Sequence, residues 1–249
     1  MIIRNFAISN QAINIQGINM RFSVPGYYRI SGENGCGKTT LLEKILFGDA
    51  AEFSSLEETE LYKRERSSLF SYCPQKIITN RLRVDRYISR GNRFVDNAQI
   101  KKLFEIFNLR DESLGIRFCD LSGGEQMKVS IISCLVKDTP YLILDEPSNY
   151  LDNTSTEALS NLLRAEADRR CVIVVSHDNR MADESQKVYS FSAGTVRFDG
   201  GGELATSATN DNVIRSDNSE IAKKTKTGII DRKKRLLRHS MQCICFASF

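Results

Sequence analysis

The 249-residue chain has only two histidines, at positions 177 and 239. Its seven cysteines, at 36, 73, 119, 134, 171, 243 and 245, lie scattered, and no Cys/His cluster has the spacing of a structural zinc site. Reduced, mostly buried thiols are therefore expected. There is no run of 18 apolar residues, so nothing in the sequence is expected to span a bilayer. The first residues, MIIRNFAISN, lack the apolar core of a signal peptide, and the chain is expected in the cytosol. No internal repeat and no sustained heptad pattern is present, which argues against solenoids and long coiled coils. Strong charge of one sign is also missing from most of the chain. Residues 201–249 hold nine basic and five acidic residues, which leaves 26 of each in residues 1–200. The balanced body is not a nucleic-acid-binding surface, and any attraction for anionic lipid is concentrated in the tail.

Hydrophobic residues make up 41% and charged residues 27% of the chain, as in a soluble globular domain. Residues 2–8, 13–24 and 27–31 read as strands, the first two as an antiparallel pair. A glycine-rich turn over 32–37 leads into a helix over 38–47. Residues 49–66 are charged and weakly patterned, 69–73 reads as a short strand, and 84–110 as helical pieces. Helices are expected over 122–136 and 154–168, and strands over 141–144, 171–175, 187–192 and 195–198. Strands alternating with helices predict an α/β domain with a mostly parallel sheet. The strand-poor stretch at about 78–135 reads as a helical insertion. Residues 1–200 are thus one domain. Residues 200–228 have linker composition, and 201–249 as a whole read as a polar linker and basic tail.

Two segments carry chemistry. The first, GENGCGKTT at 32–40, satisfies Gly-x-x-x-x-Gly-Lys-Ser/Thr between a strand and a helix. Gly32, Gly35 and Gly37 let the backbone approach a ligand closely. The amides of the loop, from Glu33, Asn34 and Cys36 to Thr40, then face phosphate oxygens. Lys38 supplies a point charge to the β- and γ-phosphates, and the Thr39 hydroxyl is suited to Mg²⁺. The second segment, YLILDEP at 141–147, is an apolar strand whose carboxyl end carries Asp145 and Glu146. Ligands of doubly wound sheets sit beyond such strand ends. Asp145 is placed to hold the metal. Strand alternation predicts that Glu146 points the other way, toward an attacking water.

With LSGGEQ at 121–126 added, the sequence resembles the ATP-binding-cassette (ABC) ATPase family, most of all the nucleotide-binding domain of an ABC transporter. The other motifs follow in family order. Gln75 in SYCPQ matches the Q-loop, Ser148–Asp152 (SNYLD) the D-loop, and His177 in VVSHD the switch histidine. The resemblance covers about residues 1–200. It implies a P-loop NTPase core with an N-terminal antiparallel β subdomain and a short helical subdomain. It also implies head-to-tail dimers, with self or a sister cassette, that sandwich ATP. Ser122, Gly123 and Gly124 of one copy then bind the γ-phosphate held by Lys38 of the other. Glu146 acts as general base, His177 contacts the γ-phosphate, Gln75 reaches Mg²⁺ or water, and Asp152 lies at the nucleotide interface. A transmembrane permease is the implied partner, with the cassette in the cytoplasm, peripheral to the inner face of the membrane. A soluble ABC-F-type ATPase acting on the ribosome is the alternative that SNYLD favours, although that class carries two cassettes. Chromosome-associated ATPases share a signature loop but need coiled coils. The chain departs from the family at 9–17, SNQAINIQG, which contains no aromatic to stack on adenine; Phe6 is the nearest candidate. Basic residues at 223–238 followed by Met241, Cys243, Ile244, Cys245 and Phe246 leave three readings open: an ordinary basic tail, a segment that meets an anionic membrane surface, or the edge of a membrane span.

Overall fold

The computed structural model describes residues 1–9, 14–47, 66–90, 92, 95–192 and 195–199, without the side chains of residues 4–9, 14–16, 66 and 192. The chain divides into two units, Met1–Ala205 and Thr206–Phe249, and only the first holds described residues. The expectations for 49–65, for the tail and for the Phe6 side chain lie outside the described residues.

Strands β1 (Ile2–Ser9) and β2 (Asn14–Arg21) form an antiparallel pair. The sheet that follows uses β3 (Gly26–Gly32), β4 (Phe70–Cys73), β5 (Tyr141–Asp145), β6 (Cys171–Val175), β7 (Lys187–Ser192) and β8 (Thr195–Asp199). Their spatial order is β4-β5-β6-β3-β7-β8, parallel throughout except for the antiparallel β7–β8 pair at one edge. β5 and β6 are buried at all five positions, which explains their uninterrupted apolar sequences: a parallel sheet is covered on both faces. β8 alternates between exposed and half-buried positions, as an edge strand does.

Period-two alternation divides the core between the two faces. Leu142, Leu144, Val172 and Val174 face one buried cluster. That cluster also takes in helices α3 (Val84–Ser89), α4 (Asn97–Ile106), α5 (Gly123–Leu135) and α6 (Asn153–Ala167). Tyr141, Ile143, Cys171, Ile173 and Val175 face the other, with residues of α1 (Lys38–Phe47), β1 and β2. A one-turn helix, α2 (Arg66–Leu69), precedes β4. Burying one Val, Leu or Ile side chain contributes about 1.5–3 kcal/mol, so both faces hold the sheet in register.

Between 78 and 135 the elements are α3, α4, two 3₁₀ turns at Asp111–Gly115 and Phe118–Asp120, and α5. Only an isolated bridge, Arg83–Arg117, interrupts this helical stretch among the described residues. Its apolar side chains share the core of the sheet. β2 ends at Arg21, short of the expected 24. Arg21 pairs with Ile2, the first residue of β1; Phe22 still exchanges two bonds with Met1, its N–H donating to the Met1 carbonyl and the Met1 amino group donating to the Phe22 carbonyl, both at 2.9 Å, and its side chain turns into the core.

Candidate active site

β5, β6 and β3 are parallel neighbours, so their carboxyl ends open on one edge of the sheet. The loop 33–37 leaves β3 there, Asp145 and Glu146 end β5, and His177 follows β6. Three stretches distant in sequence therefore meet at one crevice.

Gly32 begins the loop with φ of +150°, and a Cβ there would lie 2.7 Å from the Phe191 carbonyl oxygen. Gly37, at φ +100°, ends it, and its carbonyl accepts from Leu41 N–H at 2.9 Å, starting α1. Cys36 N–H donates to the Glu33 carbonyl at 3.3 Å, while Glu33, Asn34 and Gly35 are exposed at the rim. Lys38 is buried inside this curve, its Nζ donating to the carbonyls of Gly32 (2.7 Å) and Glu33 (2.9 Å). Thr39 Oγ1 donates to Asp145 Oδ2 at 3.2 Å, and Thr40 is half-buried on the first turn of α1.

Asp145 is buried, and its Oδ1 has no hydrogen-bond partner among the described residues. Burial pushes its carboxyl up to about 6, and the neighbouring Glu146 adds to this, whereas the Thr39 hydrogen bond and the Lys38 charge oppose it. Glu146 does not continue the strand. It turns left-handed, with φ 49° and ψ 50°, while its N–H donates to the Val175 carbonyl at 2.8 Å. Strand alternation therefore stops at Asp145, and this turn sets the direction of Glu146. Its Oε1 lies 2.9 Å from His177 Nδ1, and its buried Oε2 is unpartnered among the described residues. His177 is half-exposed. Its segment is tied down by Ser176 N–H to the Ile30 carbonyl (3.1 Å) and Asp178 N–H to Ser176 Oγ (3.0 Å).

The remaining expected residues form a second grouping. Ser122 caps α5. Its N–H and Oγ donate to Glu125 Oε2 at 2.9 and 2.7 Å, and Glu125 N–H returns a bond to Ser122 Oγ at 3.3 Å. Gly123 is exposed, whereas a Cβ on Gly124 would come 3.1 Å from the Tyr150 carbonyl, so the signature turn and the SNYLD segment touch within one chain. Asp152 caps α6 through Ser155 N–H at 2.7 Å and pairs with Lys128 at 3.2 Å. Gln75 lies half-buried two residues beyond β4. Among the described residues no hydrogen bond links Ser122–Gly124 or Asp152 to Lys38, Thr39, Asp145 or Glu146.

Two supporting residues escaped the motif reading. Glu125 was legible in S-x-x-E, the spelling of a capping box. Arg29 was legible as the lone charge in GYYRISG; its Nε and Nη2 lie 3.4 and 3.2 Å from the Ser176 and Asp178 carbonyls.

The family described as ABC transporter matches residues 15–149, more than half of the chain. An uncharacterized ABC transporter ATP-binding protein of Mycobacterium tuberculosis is 28% identical over 191 residues, covering 70% of this chain and 58% of the relative. Elongation factor 3B of Saccharomyces cerevisiae is 30% identical over 160 residues, 63% of this chain but 14% of that protein. The dimeric structure of a bacterial ABC transporter cassette superposes with a TM-score of 0.65 at 20% identity, over 82% of this chain and 99% of the other. The glycine-rich loop with its lysine, the paired acids and the histidine stand together at one sheet edge. The chain belongs to the ABC transporter family, and it spans little more than half the length of the first of these relatives.

Proposed function

We propose that this cassette hydrolyses ATP to drive a transporter, as one half of a nucleotide-sandwich dimer. The observation that carries the reading is the pair of contacts at the sheet edge: Thr39 with Asp145, and Glu146 with His177. Lys38 neutralises charge on the β- and γ-phosphates. Glu146 takes the proton of a water whose oxygen bonds to the γ-phosphorus as the bond to the ADP oxygen breaks. His177 orients Glu146 and meets the γ-phosphate. Thr39 and Asp145 fit Mg²⁺, because a buried carboxylate oxygen without a partner stands beside a hydroxyl, and Gln75 completes the set. When bound, the ion neutralises phosphate charge.

Ser122 and Gly123 are exposed at a helix start with Gly124 half-buried behind them, and Asp152 caps the next helix. This arrangement supports a second cassette, identical or not, completing the site. A transmembrane permease is the coupled partner. The cassette then works in the cytoplasm at the inner face of the membrane, with the basic tail on anionic lipid. Similarity to elongation factor 3B and the SNYLD segment favour a second reading, action on the ribosome. Co-sedimentation with ribosomes in ATP separates the two.

Glu146→Gln keeps the shape of the side chain and removes the base. It should bind ATP, lose at least about 100-fold in turnover, and persist as a dimer in ATP by size exclusion. Wild-type turnover in this variant would overturn the role of Glu146.

A further inference from the structure

Arg29 lies in the middle of β3, between β6 and β7, where an apolar residue would pack at no electrostatic cost. It is only 8% exposed, and the strand around it is apolar at Tyr27, Tyr28 and Ile30. A buried guanidinium persists only where its donors are used. The donors of Arg29 reach main-chain carbonyls on either side of the switch histidine: Ser176 O from Nε at 3.4 Å, and Asp178 O from Nη2 at 3.2 Å. Both carbonyls lie beyond the last β6 pairing, where the sheet ladder no longer satisfies them. Asp178 O also accepts from Met181 N–H at 3.1 Å, which closes the turn behind it. The fork thus spans His177, holding the 176–177 peptide just before it and the 178–179 peptide one residue beyond it.

Charge adds to the geometry. Burial lowers the guanidinium's hold on its proton, and the nearby Asp178 and Glu146 carboxylates offset this only in part. Asp178 is itself tied to Arg180, whose Nε donates to it at 2.8 Å, so its charge is already shared. Glu146 has one oxygen on His177 and the other unpartnered among the described residues. The Arg29 cation, the histidine it positions and the carboxylate that histidine touches form one connected unit.

We infer that Arg29 is a positioning residue for hydrolysis, holding the 176–178 segment so that His177 meets Glu146. The inference rests on the roles given above to Glu146 and His177. Arg29→Met removes the fork and keeps an apolar stem. Its kcat should fall about 10–100-fold, with ATP affinity and KM held to within about twofold, since the phosphate loop is untouched. Arg29→Lys keeps the cation but offers a single donor point. Its rate should fall between the two, and it also reads the same effect if the methionine variant does not fold. The decisive measurement is a double-mutant cycle in single-turnover hydrolysis. In a His177→Ala background, Arg29→Met should cost no further rate beyond about twofold, because the residue acts through the histidine. An undiminished further loss in that background would make Arg29 a general structural residue and overturn the inference. So would a wild-type kcat in Arg29→Met while His177→Ala is impaired. If His177→Ala itself turns over like the wild type, the assignment beneath the inference fails instead.

Discussion

Glu146 holds its carboxylate on His177 by adopting a backbone conformation, φ 49°, that a residue with a Cβ takes at a cost of about 1–3 kcal/mol. The same turn buries an oxygen with no partner among the described residues. Stability and chemistry therefore pull in opposite directions at this residue. Glycine accepts the conformation freely and removes the buried charge, at an entropic cost of about 0.5–1 kcal/mol. Glu146→Gly should abolish hydrolysis yet melt no lower than the wild type in a nucleotide-free thermal scan; a clear fall in Tm would refute the strain. Lys38, Thr39 and Asp145 were legible in the sequence because their motifs state the backbone that presents them. The orientation of Glu146 was not. Extrapolating strand alternation by one residue ignored Pro147, which has no N–H with which to extend the ladder, so the strand stops before it.

The boundaries of α5 and α6 were legible to within a residue because their caps are written in the sequence, whereas α2 and the separate extents of α3 and α4 were not. Asp152 stands before α6, and Ser122 with Glu125 brackets the start of α5. The end of β2 was not legible, since it depends on where its partner strand begins. Asp152, read as an interface residue, is in this structure the N-cap of α6. Asp152→Ala should destabilise the cassette by about 1 kcal/mol in urea at neutral pH. The Ser155 N–H holds the Asp152 carboxyl down at about 2. A depressed carboxylate stabilises the fold above its unfolded value, about 4, and loses that contribution as the pH falls through the folded value. The gap between wild type and Asp152→Ala should therefore be full above about pH 4 and close toward pH 2. A gap independent of pH would mean that the carboxylate does not cap the helix.

The two groupings, loop with acids and signature with SNYLD, predict complementation between chains. Ser122→Arg places a cation at the signature turn and should abolish turnover while sparing ATP binding to the monomer. Lys38→Ala should lose ATP binding at its own loop. Mixing the two should restore part of the activity, because one composite site then has intact Lys38 and Ser122; no recovery at dimer-forming concentrations would refute head-to-tail pairing. A cut after Gly200 should leave ATP binding intact and remove binding to acidic vesicles at low salt, each basic residue near the surface contributing about 1 kcal/mol. If the cut unfolds the domain, the boundary is wrong. The meeting of β3, β5 and β6 has one more consequence. Their ends bring residues 32–39, 145–146 and 177 together only while the sheet keeps its register. An unfolded chain has no such site, so nucleotide binds the native form alone. With free ATP at 100 times its Kd, that preference adds about 2.7 kcal/mol to the folding equilibrium. When free ATP falls, the cassette loses this support, and a larger fraction of its copies is unfolded and open to proteases.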